Sequence, residues 1–229
     1  MTVFFIGAGI GDADHLTVKA HRLISQADVI IYDALIDNQI LQLVPENCLQ
    51  IPVGKRGGKV STPQETINQL LAQYAPVYKT IIRLKGGDPG IFGRINPEIE
   101  TLQAINVDYE LIPGISSSIA APLLANIFLT EKENSHGFMV VTGHDPNLLN
   151  WQVLSQVDTL VILMGSKNLF IIVDKLQEYG RSHLFPIAII KQAGNSQQQI
   201  WKGTLGNIVE QTVNISLSPC IIVIGKVVR

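Results

Sequence analysis

Short apolar runs alternate with stretches of helical periodicity along the first half of the chain. Runs such as residues 3–6 and 29–33 are typical of strands that are buried on both faces of a parallel sheet. Between the runs, apolar residues recur every three or four positions, which predicts amphipathic helices. We therefore expect a doubly wound α/β domain with strands at 3–6, 29–33, 49–53, 79–84 and 109–112.

Helices are expected between these strands, at 16–26, at 35–43, from a start within 61–65, and at 97–105. The third helix starts within Ser61-Thr62-Pro63-Gln64-Glu65, a sequence that predicts a hydroxyl N-cap and a proline in the first turn.

The second half of the chain repeats the alternation after a break at Pro113-Gly114. We place a domain boundary there, between an N-terminal α/β domain (1–114) and a C-terminal α/β domain (115–229). The turn at Gly194-Asn195 is too short for a crossover helix, so part of the second sheet is expected to be antiparallel. The expected fold class is thus two α/β domains that face each other across a cleft. Strands are predicted at 138–141, 159–164, 186–190, 198–202 and 220–224, and helices near 151–156, 169–179 and 204–212.

Composition and charge narrow the possible functions. The chain has 229 residues and a formal net charge of -2, which argues against a general nucleic-acid binder. Cys48 and Cys220 form no CxxC pair and the histidines show no ligand spacing, so we expect neither a disulfide framework nor a metal. This cysteine usage is typical of the reducing cytosol, so we expect a cytoplasmic protein. No apolar run approaches the ~20 residues of a membrane span, so we expect no membrane contact.

The clearest candidate for a binding site is Lys85-Gly86-Gly87-Asp88-Pro89, directly after a predicted buried strand. A glycine pair ends a strand where the backbone turns sharply or lies close to something else. The uncovered backbone groups and the two acceptor oxygens of Asp88 can hold a polar small molecule. An ordinary strand-to-helix turn has the same pattern, and both interpretations stay open at this point.

Charged residues follow other predicted strands as well. Asp12 lies after the first strand, Asp33 ends the second, and Lys55 follows the third. Ligands of open α/β sheets bind at the carboxyl ends of the strands, so we expect these residues and Asp88 at one rim. There they can hold a cationic or zwitterionic cofactor and move a proton. A helix N-cap or a turn aspartate is the alternative role for Asp33.

Several motifs occur in a characteristic order. They include Gly7-Ala8-Gly9-Ile10-Gly11-Asp12, Val53-Gly54-Lys55-Arg56, Arg83 to Pro89 with Phe92-Gly93-Arg94, Pro113-Gly114-Ile115, Val141-Thr142-Gly143-His144 and Met164-Gly165. Over essentially the whole chain, this order resembles the uroporphyrinogen-III C-methyltransferases of the tetrapyrrole methylase superfamily. The chain departs from their pattern at Ile10, where proline is usual, and at Gly90, where an aromatic residue is usual. It also departs at Ile95-Asn96-Pro97, where a glycine pair is usual, and at Leu129-Thr130-Glu131-Lys132, which lacks the usual His-Arg.

The resemblance implies a homodimer with its active site in the cleft between the two α/β domains, where it binds S-adenosylmethionine as methyl donor. It also implies that the enzyme methylates uroporphyrinogen III twice, giving precorrin-2 for sirohaem or cobalamin. It implies Asp33 as proton acceptor and Lys55 as proton donor. A later precorrin methyltransferase and a catalytically silent tetrapyrrole-binding protein are the alternatives. The cofactor contacts that it implies are Ile10, Gly86, Gly87, Asp88, Ile91, Ser116, Ser117, Met164 and Ala193.

The substrate that the resemblance implies carries eight carboxylates, whereas the chain has a net charge of -2. A local group of cations must therefore bind it. Arg56 and Lys59 lie among glycines after the third strand, and Arg94 is a further candidate. A guanidinium offers a planar fork that matches a carboxylate. The alternative is that Arg56 and Lys59 only face solvent.

Overall fold

The structure, a computed structural model, describes residues 1–54 and 62–229. Its residues divide into two units, Met1–Ser116 and Ser117–Arg229, with the division close to the boundary expected after Gly114.

The first unit is built on a five-stranded sheet, as the apolar runs predict. Its strands are β1 (Thr2–Gly7), β2 (Val29–Asp33), β3 (Leu49–Val53), β4 (Thr80–Lys85) and β5 (Asp108–Ile112). All neighbouring pairs are parallel, in the order β3-β2-β4-β1-β5. The central strand is therefore β4, and its carboxyl end lies beside that of β1.

Helices cover both faces of this sheet. They are α1 (Val18–Ile24), α2 (Asn38–Leu41), α3 (Gln64–Tyr74) and α4 (Asn96–Ala104). Because successive strand residues point to opposite faces, each strand contributes to two cores. Ile30 and Ile82 pack with Ile24 of α1 on one face. On the other face, Ile31 and Ile81 pack with residues of α3 and α4 such as Leu71 and Leu102. The doubly wound arrangement is confirmed.

Two expectations about the helices of this unit are wrong. Helix α2 is shorter than 35–43, because Asp37 accepts a hydrogen bond from the Gln39 N–H at 2.9 Å and so caps a helix that begins at Asn38. Helix α3 has Pro63 at its N-cap position and no side-chain cap. The Thr62 hydroxyl instead accepts a hydrogen bond from the Gly54 N–H at 3.2 Å.

The second unit contains β6 (Phe138–Thr142), β7 (Thr159–Leu163), β8 (Pro186–Lys191), β9 (Gln199–Thr204) and β10 (Cys220–Gly225), in the order β6-β7-β10-β8-β9. Strands β6 and β7 are parallel and the other pairs are antiparallel, which confirms the expected mixed sheet. Because β10 runs opposite to both β7 and β8, those two strands end at the same edge.

The helices of the second unit are α5 (Ser117–Leu124), α6 (Trp151–Leu154), α7 (Leu169–Glu178) and α8 (Ile208–Gln211). Helix α8 is shorter than 204–212, since Thr204 still belongs to β9. Ile162, Ile189 and Ile222 of the sheet pack against Ile172 and Leu176 of α7 in one core. None of the helices in the described part of the chain has the length and apolar character needed to cross a bilayer.

Candidate functional site

Three glycines of the first unit meet where β1, β4 and β5 end. A Cβ atom at Gly114 would lie 2.2 Å from the carbonyl oxygen of Gly87, and one at Gly7 would lie 2.5 Å from the Gly114 nitrogen. Such distances leave no room for a side chain, so glycine is needed at Gly7 and Gly114. The three strand ends are thereby held in backbone contact.

The loops after β1 and β4 are also hydrogen-bonded to each other. The Gly9 N–H donates to the Gly87 oxygen at 3.1 Å, and the Gly87 N–H donates to the Gly9 oxygen at 2.8 Å. Both residues are in the left-handed region, with φ of 68° and 67°, where glycine carries no steric penalty. These bonds fix the path of the Gly86-Gly87-Asp88 loop.

Asp88 links the same loop to the end of β5. Its Oδ1 accepts a hydrogen bond from the Gly90 N–H at 2.8 Å, and its Oδ2 accepts one from the Gly114 N–H at 3.0 Å. A carboxylate has about four acceptor sites, so further acceptor capacity remains for a ligand. Gly86 is exposed, and a Cβ atom there would meet nothing within 4 Å. The loop therefore combines a rigid backbone with open space beside Gly86.

The other residues that the resemblance assigns to the cofactor divide between the two units. Ile10 is buried in the loop after β1, Ile91 is exposed after the glycine pair, and Ser116 is buried beyond β5. All three thus follow β1, β4 or β5, the strands whose ends meet at Gly7, Gly87 and Gly114.

Ser117, Met164 and Ala193 belong to the second unit. Ser117 begins α5, whereas Met164 and Ala193 follow β7 and β8 at one edge of the mixed sheet. Met164 is about half exposed and has φ of 58°, an unusual conformation for a residue other than glycine.

The predicted basic residues Lys55, Arg56 and Lys59 lie outside the described residues. Arg94 is exposed, with φ of 51°, and lines a groove of about 500 Å³ together with Gln64, Phe92 and Pro97. The cationic residue Arg94 thus lies at the edge of a partly apolar groove.

Asp33 lies at the carboxyl end of β2, as expected, and its side chain is 34% exposed. Its Oδ1 accepts a hydrogen bond from Nη2 of Arg83 at 2.6 Å, so the carboxylate has a charged partner on the neighbouring strand β4. Asp37, and not Asp33, caps the helix that follows. The N-cap interpretation of Asp33 is therefore wrong.

A buried ion cluster behind Asp33 was missed in the sequence. Arg83 and Lys85 of β4 and Glu98 of α4 are each almost fully buried. Glu98 accepts from Arg83 Nε at 2.9 Å and from Lys85 Nζ at 2.6 Å. Burial, and then the nearby Arg83 charge, lower the pKa of Lys85, while the Glu98 carboxylate partly offsets this effect. The available signal was a pair of cations at alternate positions of an apolar strand, which places both on one face.

Within residues 1–54 and 62–229, no group of three or more histidine, cysteine, aspartate or glutamate side chains is arranged to hold a metal ion.

A family model of tetrapyrrole (corrin/porphyrin) methylases matches residues 2–209. The chain belongs to this family, and the resemblance found in the motifs is confirmed.

Individual relatives agree with the family assignment. Uroporphyrinogen-III C-methyltransferase of Synechococcus elongatus is 49% identical over 99% of this chain and 93% of the relative. A crystal structure of uroporphyrin-III C-methyl transferase from Thermus thermophilus, complexed with S-adenyl homocysteine, has a TM-score of 0.86 and 32% identity, and the match covers 99% of this chain and 98% of that one. Siroheme synthase of Actinobacillus pleuropneumoniae is 41% identical over 99% of this chain, which spans only 47% of that relative.

Proposed function

We propose that this protein is an S-adenosylmethionine-dependent C-methyltransferase that methylates uroporphyrinogen III twice to give precorrin-2. The observation that carries the proposal is the 49% identity to the Synechococcus elongatus enzyme over nearly the full length of both chains. The match to about half of a siroheme synthase favours sirohaem as one destination of the product. Cobalamin is the second destination that the family resemblance suggests.

The residues at the ends of β1 and β4 fit S-adenosylmethionine. Open space beside Gly86 admits a ligand close to the backbone, and the Asp88 carboxylate can accept bonds from hydroxyl or ammonium groups. The relative solved with S-adenyl homocysteine supports the same donor. When bound, S-adenosylmethionine supplies an electrophilic methyl group. We assign to its binding Ile10, Gly86, Gly87, Asp88, Ile91 and Ser116 of the first unit and Ser117, Met164 and Ala193 of the second.

In this proposal, some residues of the chain transfer protons and others bind the substrate. Methylation of a ring carbon is followed by loss of a proton, and the half-buried Asp33 carboxylate accepts it. The Arg83 guanidinium holds Oδ1 of Asp33 in place during this step. Lys55 is proposed as the proton donor, and Arg56, Lys59 and Arg94 as partners of the substrate carboxylates.

We also propose that the protein is a homodimer, as the family resemblance suggests, and that it lies in the cytoplasm, as expected from its cysteine usage. Analytical ultracentrifugation tests the first point, because a dimer has twice the mass of the 25.1 kDa chain. Cell fractionation with an antibody to the chain tests the second.

The reaction is tested by incubating the purified protein with uroporphyrinogen III and methyl-labelled S-adenosylmethionine without oxygen. Mass spectrometry should find two labelled methyl groups in each product molecule. A parallel incubation with precorrin-2 tests for a later methyltransferase. Transfer to precorrin-2 but not to uroporphyrinogen III would contradict the proposal, and so would binding of the tetrapyrrole without any transfer.

A further inference from the structure

Glu98 is a fully buried carboxylate with two cationic partners. It lies in the first turn of α4, where an acid also interacts favourably with the helix dipole. Its side chain contacts β4, however, where it accepts hydrogen bonds from Arg83 and Lys85. Buried ions cost desolvation energy, and apolar residues of similar volume often stabilise a fold as well or better. Stability alone therefore gives little reason for this cluster.

The Arg83 guanidinium is bonded through each of its nitrogens. Nε donates to Glu98 Oε2 at 2.9 Å, and Nη1 donates to the carbonyl oxygens of Leu84 at 3.1 Å and Ile31 at 3.4 Å. Nη2 donates to Asp33 Oδ1 at 2.6 Å and to Glu98 Oε1 at 3.4 Å. The carboxylates of Asp33 and Glu98 thus both bind the planar Arg83 guanidinium. Because the guanidinium is rigid, the orientation of the Asp33 carboxylate depends on how Glu98 holds Arg83.

A glutamine of α3 also supports the Glu98 carboxylate. Gln64, the first residue of α3, donates from Nε2 to Glu98 Oε1 at 3.4 Å and to Asn68 Oδ1 at 3.1 Å. Glu98 therefore receives bonds from α3 and from β4, and its own position is well determined.

We propose that Glu98 is a positioning residue that orients the Asp33 carboxylate through Arg83. The inference rests on the proposed function, because it concerns proton transfer by Asp33. The cluster of Arg83, Lys85, Asp33 and Glu98 contains two basic and two acidic side chains. Replacing Glu98 by glutamine keeps the shape of the side chain and removes the anion that anchors Arg83. Arg83 is then held at its other end only by a neutral amide, so the Asp33 carboxylate loses the fixed partner that orients it.

The kinetic test is a cycle of Glu98→Gln, Asp33→Asn and the double variant. In Glu98→Gln we expect kcat to fall about tenfold or more, while the Kd for S-adenosylmethionine changes by less than about twofold. In the Asp33→Asn background, Glu98→Gln should have little further effect, because its effect passes through Asp33. Full multiplication of the two losses would overturn the proposal, and so would an unchanged kcat in Glu98→Gln.

A second variant separates anchoring from charge balance. Glu98→Gln combined with Lys85→Met removes one charge of each sign, so the cluster stays balanced. We expect the melting temperature of this double variant to be closer to that of the wild type than the melting temperature of Glu98→Gln is. Its kcat should stay as low as that of Glu98→Gln. Recovery of kcat would mean that Glu98 only neutralises Lys85, which contradicts a positioning role. Glu110→Gln, which breaks the exposed ion pair with Lys19 in the same unit, is the matched control and should leave kcat unchanged.

A crystal structure of Glu98→Gln tests the inference without substrate and so separates it from the proposed function. We expect the Asp33 carboxylate in more than one rotamer, or moved away from Arg83. An unchanged single conformer, with the 2.6 Å bond intact, would overturn the inference even if the enzyme methylates uroporphyrinogen III. If instead the wild type transfers no methyl group, the proposed function is wrong.

Discussion

Gly87 exchanges two backbone hydrogen bonds with Gly9, and in doing so it takes a left-handed conformation directly beside the exposed Gly86. The two adjacent glycines therefore have different roles. A side chain at Gly87 would strain the loop, whereas a side chain at Gly86 would enter open space. Substitution of Gly87 tests the fold, and substitution of Gly86 tests the proposed binding site.

Replacing Gly86 by valine should weaken S-adenosylmethionine binding at least tenfold, because the branched side chain fills the space beside the loop. The melting temperature should stay close to that of the wild type. Calorimetric titration measures the affinity. Gly137→Val is the matched control, since Gly137 is also exposed and equally free of neighbours. Equal cofactor affinity in both variants would place the ligand elsewhere.

Replacing Gly114 by alanine should destabilise the first unit. The new Cβ would lie 2.2 Å from the Gly87 oxygen and 2.7 Å from the backbone of Gly7, so strand ends must move apart. Overpacking of this kind typically costs ~1–3 kcal/mol. Urea denaturation measures the loss, with Gly86→Ala as the control that adds the same methyl group in open space. A free energy of unfolding equal to that of the control would refute the tight contact.

Replacing Asp33 by asparagine should reduce kcat by ~100-fold or more, the usual contribution of a general base. The amide has nearly the same shape but cannot accept the proton. Asp37→Asn controls for the same change nearby, because asparagine caps a helix about as well as aspartate. Initial rates over a range of pH provide the measurement. Wild-type turnover in Asp33→Asn at every pH would exclude the role.

The two thiols should be unreactive in the folded protein. Burial raises the pKa of Cys48 to about 11 and that of Cys220 to about 12, from 9.0, because it disfavours the charged thiolate. The thiolate is the reactive form, so alkylation by iodoacetamide at pH 8 should be slow until denaturant is added. Mass spectrometry of the alkylated chain checks both positions. Rapid labelling of either cysteine in the native protein would contradict its burial.

The same pKa shifts have a consequence for stability. The folded state favours the neutral thiols, so their contribution to the free energy of unfolding is complete below pH 9.0 and is lost as the pH rises towards 11 and 12.

The order of elements was predictable because it depends on local patterns. Apolar runs located the strands, and the two cores of the first unit follow from their alternation. Local patterns were misleading at Leu35, which is apolar yet 71% exposed and does not extend α2. The acid at the end of β2 was also predictable, because strand ends are visible in the sequence.

The partners of Asp33 were not predictable from local patterns. Arg83 appeared only as one charge in an apolar strand, and the pairing with Glu98 depends on how α4 packs on β4. Charge signs alone cannot select that partner among the other acids of the chain. The paired glycines are a similar case, since the contact of Gly114 with Gly87 depends on strand order and not on spacing along the chain.

The strand order also affects how the chain folds during its synthesis. β1 pairs with β4 and β5, so Thr2 lies opposite Thr80 and Asp108. A growing chain therefore presents the apolar β1 long before either neighbour has left the ribosome, and such non-local pairings form slowly. Until then, Val3, Phe5 and Ile6, which are fully buried in the finished protein, are exposed to other chains and to chaperones. The yield of folded protein should thus depend on chaperone supply and growth temperature, even in variants with an unchanged site.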